Sequence, residues 1–270
     1  MIRRLLPPPT VLFSNNHLLV VNKPPGWSSI PKKAEPEKSL LDHLISCKLG
    51  GGAQHDFLIP LHRLDQPCSG VLLLAKTGKA ASRVTQIWKK RLVEKKYLCV
   101  LEEPLTMNEL IRNKTTTASS GQQGDDWNLL EGWVRKGKTE GSVRILRSPP
   151  DSKDHDMRHV SLEWRSATAV RQHTDETSTT TLSLVQVKTH MGSRHMVRAL
   201  MASVLGHSIA GDLRYRARLA LPDQSVALHA QSVTLPESFV LGSLEQQWHF
   251  EAPMPVTWKK YFGIHRMRRD

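Results

Sequence analysis

The feature that most constrains this chain is an uninterrupted apolar run, Val71-Leu72-Leu73-Leu74-Ala75, entered through the turn Asp65-Gln66-Pro67-Cys68-Ser69-Gly70. Five residues are too few for a helix that stands on its own. They suit a strand covered on both faces, which reads as continuous apolar sequence rather than as alternation. Such a strand needs sheet neighbours and a layer on each side. The acid that opens the turn is oddly placed. A turn aspartate is ordinarily solvated, yet Asp65 lies between Arg63 and the mouth of a buried strand, so the whole string from Leu61 to Gly70 stands out.

Charge is the second constraint. The 270 residues carry 38 Lys and Arg against 25 Asp and Glu, a formal net charge of +13 and a pI near 9.9. An excess of this size favours a polyanion, whose phosphates release condensed counterions when neutralised. Nucleic acid is the expected partner. No apolar stretch approaches the roughly 20 residues that span a bilayer, and no basic amphipathic anchor stands out, so no membrane partner is expected. Cys47, Cys68 and Cys99 have no metal-ligand spacing, and an odd number argues against a disulfide framework. A reducing, intracellular compartment follows. The opening Met1-Ile2-Arg3-Arg4-Leu5-Leu6 has two arginines and no acid, as organellar presequences do, but Pro7-Pro8-Pro9 interrupts it early. Cytoplasm and an organelle such as the mitochondrion both stay open. The thirteen histidines are scattered, with no His-Glu-x-x-His or Cys-x-x-Cys spacing, and read as surface or RNA-facing residues rather than metal ligands.

Along the chain, residues 11 to 23 predict a strand pair around Ser14-Asn15-Asn16, closed by Asn22-Lys23-Pro24-Pro25-Gly26-Trp27. Ser39 offers a cap for a helix through Leu40, Leu41, Leu44 and Ile45 that stops at Gly50-Gly51-Gly52. From Lys79 to Leu92, Ala80, Val84, Ile87, Trp88 and Arg91 recur at helical spacing, which makes Trp88 a core residue. Between Lys76 and Lys96 eight basic residues face the single acid Glu94. A solvated helix face and a phosphate-contacting wall both account for that excess. Lys95 to Leu101 alternates like a strand. The segments about 113–128, 148–158 and 171–180 have loop composition and separate predicted strands near 133–134, 142–146 and 167–170. Thr181 to Val187 is the clearest alternating strand. After it, Val197, Leu200, Met201, Val204 and Leu205 share one helical face, with Arg198 at its edge.

Leu61-His62-Arg63-Leu64-Asp65 ending in Ser69-Gly70 resembles the catalytic motif of the RluA-type pseudouridine synthases. The resemblance extends to Val21-Asn22-Lys23-Pro24, to Lys95-x-Tyr97, and to Gly192, His195, Arg198, Gly206, His207, Ile209, Gly211, Asp212 and Tyr215. Ala227 to Ala230 and Phe250 to Pro255 match its closing strands. Ser193, Met196, Leu200 and Ser208 depart from the pattern, and one residue is extra ahead of Gly206. The resemblance implies an α+β class, the pseudouridine synthase catalytic fold, with a mixed, mainly antiparallel bent sheet flanked by helices. A short leader, 1–10, would precede a single catalytic domain, 11–270, with no S4 domain.

It also implies the chemistry. Asp65 takes the place of the catalytic aspartate, as nucleophile or base; Arg198 is the cation that keeps it ionised against burial; Tyr97 lies against the target base, although a strand tyrosine packed in the core with its hydroxyl satisfied fits the sequence as well. Val197 closes the opposite face. Arg63 fills the gap left by an extruded nucleotide or pairs with a nearby carboxylate; His62 and Lys23 complete the substrate contacts, although a lysine before two prolines is also an ordinary solvated loop charge. The expected protein is a monomeric RNA pseudouridine synthase acting on structured rRNA or tRNA, with no cofactor and no metal. The alternative is an inactive synthase-fold protein that binds RNA or assists ribosome assembly.

Overall fold

A computed structural model describes residues 6–53, 55–106, 127–136, 143–147, 157–173, 179–241 and 248–264. The chain divides into two compact units, Met1–Tyr97 with Gln224–Pro255, and Leu98–Asp223 with Val256–Asp270.

The first unit is built on the apolar run. Strand β4 (Ser69–Ala75) is buried at every residue. It pairs antiparallel with β2 (Leu18–Lys23), which sets Lys23 opposite Gly70, and parallel with β10 (Leu228–Thr234), which sets His229 beside Ser69. β1 (Thr10–Ser14) continues the sheet beyond β2, β3 (Ile59–Pro60) pairs with β4, and β11 (His249–Glu251) with β10. The two-residue period of β2 and β4 separates their side chains into two cores. Leu18, Val20, Val71, Leu73 and Ala75 pack with Ala80 and Val84 of α2 (Gly78–Lys89), and with Trp248 and Phe250. Leu19, Val21, Leu72 and Leu74 pack with Trp27 and with Leu40 and Leu44 of α1 (Leu40–Ser46). A buried aliphatic side chain of this size contributes about 1.5–3 kcal/mol, so a polar residue anywhere in 71–74 would be expelled from one core or the other.

Caps fix both helices. The Ser39 side chain accepts from the Asp42 amide at 3.2 Å, as the sequence predicts, and Thr77 accepts from Ala80, also at 3.2 Å. α2 stops at Lys89, earlier than its apolar spacing suggests, because Arg91 turns left-handed (φ 58°) and the Leu92 amide reaches back to the Ile87 carbonyl at 3.0 Å. This is a Schellman ending with arginine where glycine is usual. β5 (Glu94–Leu101) then leads into the second unit.

The second unit is an antiparallel sheet in the order β9 (Thr179–Thr189), β8 (Arg158–His173), β6 (Asn128–Lys136), β7 (Val143–Leu146). One face carries Leu130, Val134, Val160, Leu162, Trp164, Val185 and Val187, and β9 is buried on its other face as well, at Leu182 and Leu184. β8 is far longer than the segment 167–170 predicted for it. It starts at Arg158 and runs to His173, so the β8–β9 ladder includes Arg171↔Thr181, Gln172↔Thr180 and His173↔Thr179. Part of the stretch read as a loop at 171–180 is therefore strand. The register of the pair carries polar residues that would not choose a strand alone. Residues 113–126 and 148–156, also read as loops, lie outside the described residues.

Helix α3 (Met196–Leu200) continues as a π-helical turn, Met201–Leu205, closed by a bond from the Gly206 amide to the Met201 carbonyl at 3.0 Å. A π turn houses one residue more than an α turn, and it falls where the sequence carries an extra residue ahead of Gly206. Met196 through Met201 are all buried, so Arg198 is enclosed rather than set at the edge of an apolar stripe. α4 (Val256–Phe262) completes the unit, with Trp258 and Phe262 buried. Each unit thus combines helices with a sheet that is mainly antiparallel, the α+β class the sequence implies.

Candidate active site

The loop that carries Asp65 has a partner for each of four consecutive carbonyls. Ser29 Oγ donates to the Leu64 carbonyl at 2.9 Å and accepts from the Leu64 amide at 3.0 Å. The Asp65 carbonyl accepts from the Cys68 amide at 3.0 Å, closing the turn. The Gln66 carbonyl accepts from the Gly26 amide at 2.8 Å and from Lys23 Nζ at 3.2 Å, and the Pro67 carbonyl from the Val226 amide at 3.0 Å. A loop satisfied in this way has little freedom left, and the half-buried Asp65 carboxylate is presented from a fixed backbone.

The strand after the loop is seated just as tightly. Gly70 adopts φ +117°, and a Cβ there would lie 2.2 Å from the Ala230 carbonyl oxygen, so only glycine lets β4 approach β10. Ser69 Oγ lies 2.8 Å from His229 Nδ1, and His229 Nε2 lies 3.3 Å from the Ala252 carbonyl. Burial pulls His229 down to about 4, which keeps it a neutral ring with one nitrogen for each partner.

Lys23 is fully buried. Its ammonium donates to the carbonyls of Pro24 (3.2 Å), Trp27 (2.9 Å) and Gln66 (3.2 Å). Burial pulls its pKa down to about 8, opposed by the neighbouring Cys68 and Asp65. Three carbonyls take up the three donors of an ammonium, so Lys23 ties the Asn22–Trp27 loop to the Asp65 loop. Tyr97, at the end of the first unit, is half-buried. Burial, and then the charge of Asp65, holds its phenol above the usual tyrosine range, so it stays protonated.

His62 is also engaged within the protein. Its Nε2 accepts from the Leu73 amide at 3.1 Å, while its ring stacks on Trp88 at 4.8 Å and 17°. Burial, then the nearby Lys95, depresses it to about 3. Trp88 is half-buried against the α2 core, as its spacing predicts, and Lys95 Nζ lies 5.5 Å above its ring. Arg63 is exposed.

In the second unit, Arg198 is bidentate on Asp212: Nε donates to Oδ2 at 2.6 Å and Nη2 to Oδ1 at 2.7 Å. Both side chains are buried, at 5% and 1% exposure. The guanidinium lies 5.4 Å from the Tyr215 ring, and the Tyr215 hydroxyl lies 3.2 Å from His195 Nδ1. Ser208 Oγ donates to the Tyr215 carbonyl at 2.7 Å, and the Ala210 amide to Val100 at 2.8 Å, fixing the loop that brings Asp212 back to α3. Val197, next in the chain to Arg198, is buried. The sequence reading assigns Arg198 to Asp65; the carboxylate described on it is Asp212, whose place in the Gly211-Asp212 motif was visible while its role was not. Among the described residues no group of three or more His, Cys, Asp or Glu is placed to hold a metal ion, and no helix is long and apolar enough to cross a membrane.

A rigid loop presenting one carboxylate next to a protonated phenol, within an α+β fold, suits acid–base or nucleophilic chemistry without fixing the reaction. Comparison with known proteins does that. The family model for RNA pseudouridylate synthase matches residues 17–203, and the chain belongs to this family, in its RluA-type branch. It is 26% identical over 254 residues to an RNA pseudouridine synthase of Bacillus subtilis, covering 94% of this chain and 75% of that one. It is 26% identical to tRNA pseudouridine synthase C of Haemophilus influenzae (88% and 94% covered) and 28% identical to the mitochondrial pseudouridylate synthase RPUSD4 of Xenopus tropicalis (93% and 78%). Among solved structures, the fold matches human RNA pseudouridylate synthase domain containing 1 with a TM-score of 0.70 at 18% identity, covering 100% of this chain and 94% of that one.

Proposed function

We propose that this enzyme isomerises uridine in structured ribosomal or transfer RNA, with Asp65 as its catalytic carboxylate. The observation that carries the reading is the Asp65 loop itself, bonded at every carbonyl from Leu64 to Pro67 and set beside Tyr97. The reaction breaks the C1′–N1 bond, turns the uracil, joins C1′ to C5, and moves the C5 proton to solvent while N1 gains one. It needs one ionised carboxylate beside the ribose, which attacks C1′ or takes a proton from C2′. Tyr97 acts as an intact phenol, packing on the base and offering a hydrogen bond, because its raised pKa makes the phenolate scarce. Arg198 is the cation proposed to serve this chemistry, and its fork to Asp212 holds the guanidinium plane. Val197 closes the other face of the base, and exposed Arg63 fills the stack that the extruded nucleotide leaves. Lys23 and His62 serve this site by holding its loop. The enzyme works as an intracellular monomer.

The test uses transcripts tritiated at uracil C5. The wild-type protein should release tritium, Asp65→Asn should release none while still binding RNA, and Tyr97→Phe should retain a reduced rate. Tritium release by Asp65→Asn at the wild-type rate would move the chemistry to another residue. RNA binding without release by the wild type would leave an RNA-binding protein of synthase fold.

A further inference from the structure

Helix α2 turns its apolar residues inward, Ala80 and Val84 buried with Ala81, Ile87 and Trp88 against the same core. Its other side exposes Lys79, Arg83, Lys89 and, in the turn that ends it, Lys90 and Arg91. No acid occurs from Lys76 to Val93; the first, Glu94, pairs with Lys96 at 3.5 Å. Among the described residues no carboxylate pairs with Lys79, Lys89, Lys90 or Arg91. Cations at a helix C-terminus have an ordinary explanation, since they offset the macrodipole. That dipole is equivalent to about half a charge, and three consecutive cations overshoot it.

Arg91 sharpens the point. It holds the left-handed position of the Schellman turn at φ 58°, where a residue with a Cβ costs about 1 kcal/mol and glycine costs nothing. A cation stands where backbone geometry prefers none. The Arg91 amide donates at 3.0 Å to the carbonyl of Trp88, whose ring stacks on His62, three residues before Asp65. The same stack joins the basic turn to the loop of the proposed catalytic residue.

We propose that the exposed side of α2 and its C-terminal turn form a docking surface for RNA phosphates that flank the nucleotide handled at Asp65. The proposal rests on the synthase reading for the identity of the polyanion. Point charges of this kind set register and affinity without reading sequence, so the surface should govern salt dependence rather than the choice of uridine.

The experiment titrates potassium chloride against binding of a fluorescein-labelled RNA hairpin to the full chain, with tritium release measured in parallel. For Lys89→Gln/Lys90→Gln/Arg91→Gln, the slope of log K against log salt should become shallower by about 2, three phosphate contacts at about 0.7 each. Arg91→Gly, which suits the left-handed backbone, should lose about 0.7 by itself and guards against a triple variant that folds poorly. Lys259→Gln/Lys260→Gln, on exposed residues of α4, is the control for diffuse charge and should leave the slope near wild type. An unchanged slope in Arg91→Gly and the triple variant, or an equal loss per charge in the α4 control, overturns the docking surface. If wild type releases tritium while those slopes stay unchanged, this proposal alone falls. If the slopes fall as expected and no tritium appears, the docking surface stands and the synthase reading falls.

Discussion

The Asp65 loop and the Arg198 helix are both rigid, but they are held in opposite ways. The loop is fixed by many neutral or singly charged hydrogen bonds from separate residues: Ser29, Gly26, Lys23, Val226 and, one step back, His62 and His229. Arg198 is held by a buried, bidentate charged fork to Asp212. Distributed support tolerates the loss of a member, because the remaining bonds still define the conformation. Concentrated support does not, because removing one buried charge strands the other.

The sharpest way to break this contrast is at Asp212. Asp212→Ala should destabilise the protein by about 3–5 kcal/mol in urea unfolding, since it removes both oxygens of the fork from a buried guanidinium. Replacing both partners with apolar residues, as in Arg198→Met/Asp212→Leu, should recover most of that loss and still leave turnover undetectable. Wild-type turnover in the double variant would reduce the pair to a packing element. Failure to recover stability would mean that Asp212 is needed by Tyr215 or α3 as much as by Arg198.

Lys23 is the nearest thing to a keystone on the distributed side, and its loss should cost less. Lys23→Met removes donors from three carbonyls but spares the Gly26 bond to Gln66, so about 2 kcal/mol is expected. The pH dependence identifies the residue. Its folded pKa, about 8, lies below the ordinary lysine value of 10.5, so between those limits the unfolded chain binds more protons and raising the pH favours folding. The stability gap between wild type and Lys23→Met should therefore widen as pH rises from about 8 to 10.5. Lys95, which burial also holds at about 8, is present in both proteins and cancels. A gap that stays flat across this window would show that burial does not lower the Lys23 pKa in the folded protein.

The same contrast decides what could be read in advance. The Asp65 side was legible because its determinants lie close together in sequence: an apolar run for β4, a Pro and Ser-Gly turn before it, Ser39 capping α1. The strand pair over residues 11 to 23 was equally local. In the second unit the elements depend on partners far along the chain. The predicted β8 was short, although Val160, Leu162 and Trp164 stand at the two-residue spacing of a half-buried strand. That signal was present and was masked by the polar residues interleaved with it, His159, Ser161, Glu163 and Arg165. The Arg198–Asp212 fork was hidden for another reason. Fourteen residues separate the two, with a π turn and a loop between them, and no periodicity relates a helix residue to a carboxylate beyond its end. The backbone bonds of Lys23 and His62 were not legible in the sequence. Residue type suggested contacts with substrate, whereas burial turned both inward onto backbone.

The smallest effect at neutral pH, and the finest probe of the distributed support, belongs to the histidines. His62 and His229 are depressed to about 3 and about 4 from the ordinary 6.5, in each case chiefly by burial. Both rings are neutral acceptors in the folded protein, and the unfolded chain protonates first as the pH falls. The stability linked to them is complete above 6.5 and drains away as pH drops toward the folded values. At about pH 5 each should cost about 2 kcal/mol relative to neutral pH. His62→Gln and His229→Gln keep an amide oxygen and remove the titration. Each variant should lose about 1 kcal/mol at pH 7 and show a shallower decline in acid than wild type. Parallel acid declines in wild type and both variants would mean that these rings are not held neutral. The Leu73 and Ser69 links would then have to be carried by protonated histidine, which has no nitrogen able to accept from the Leu73 amide.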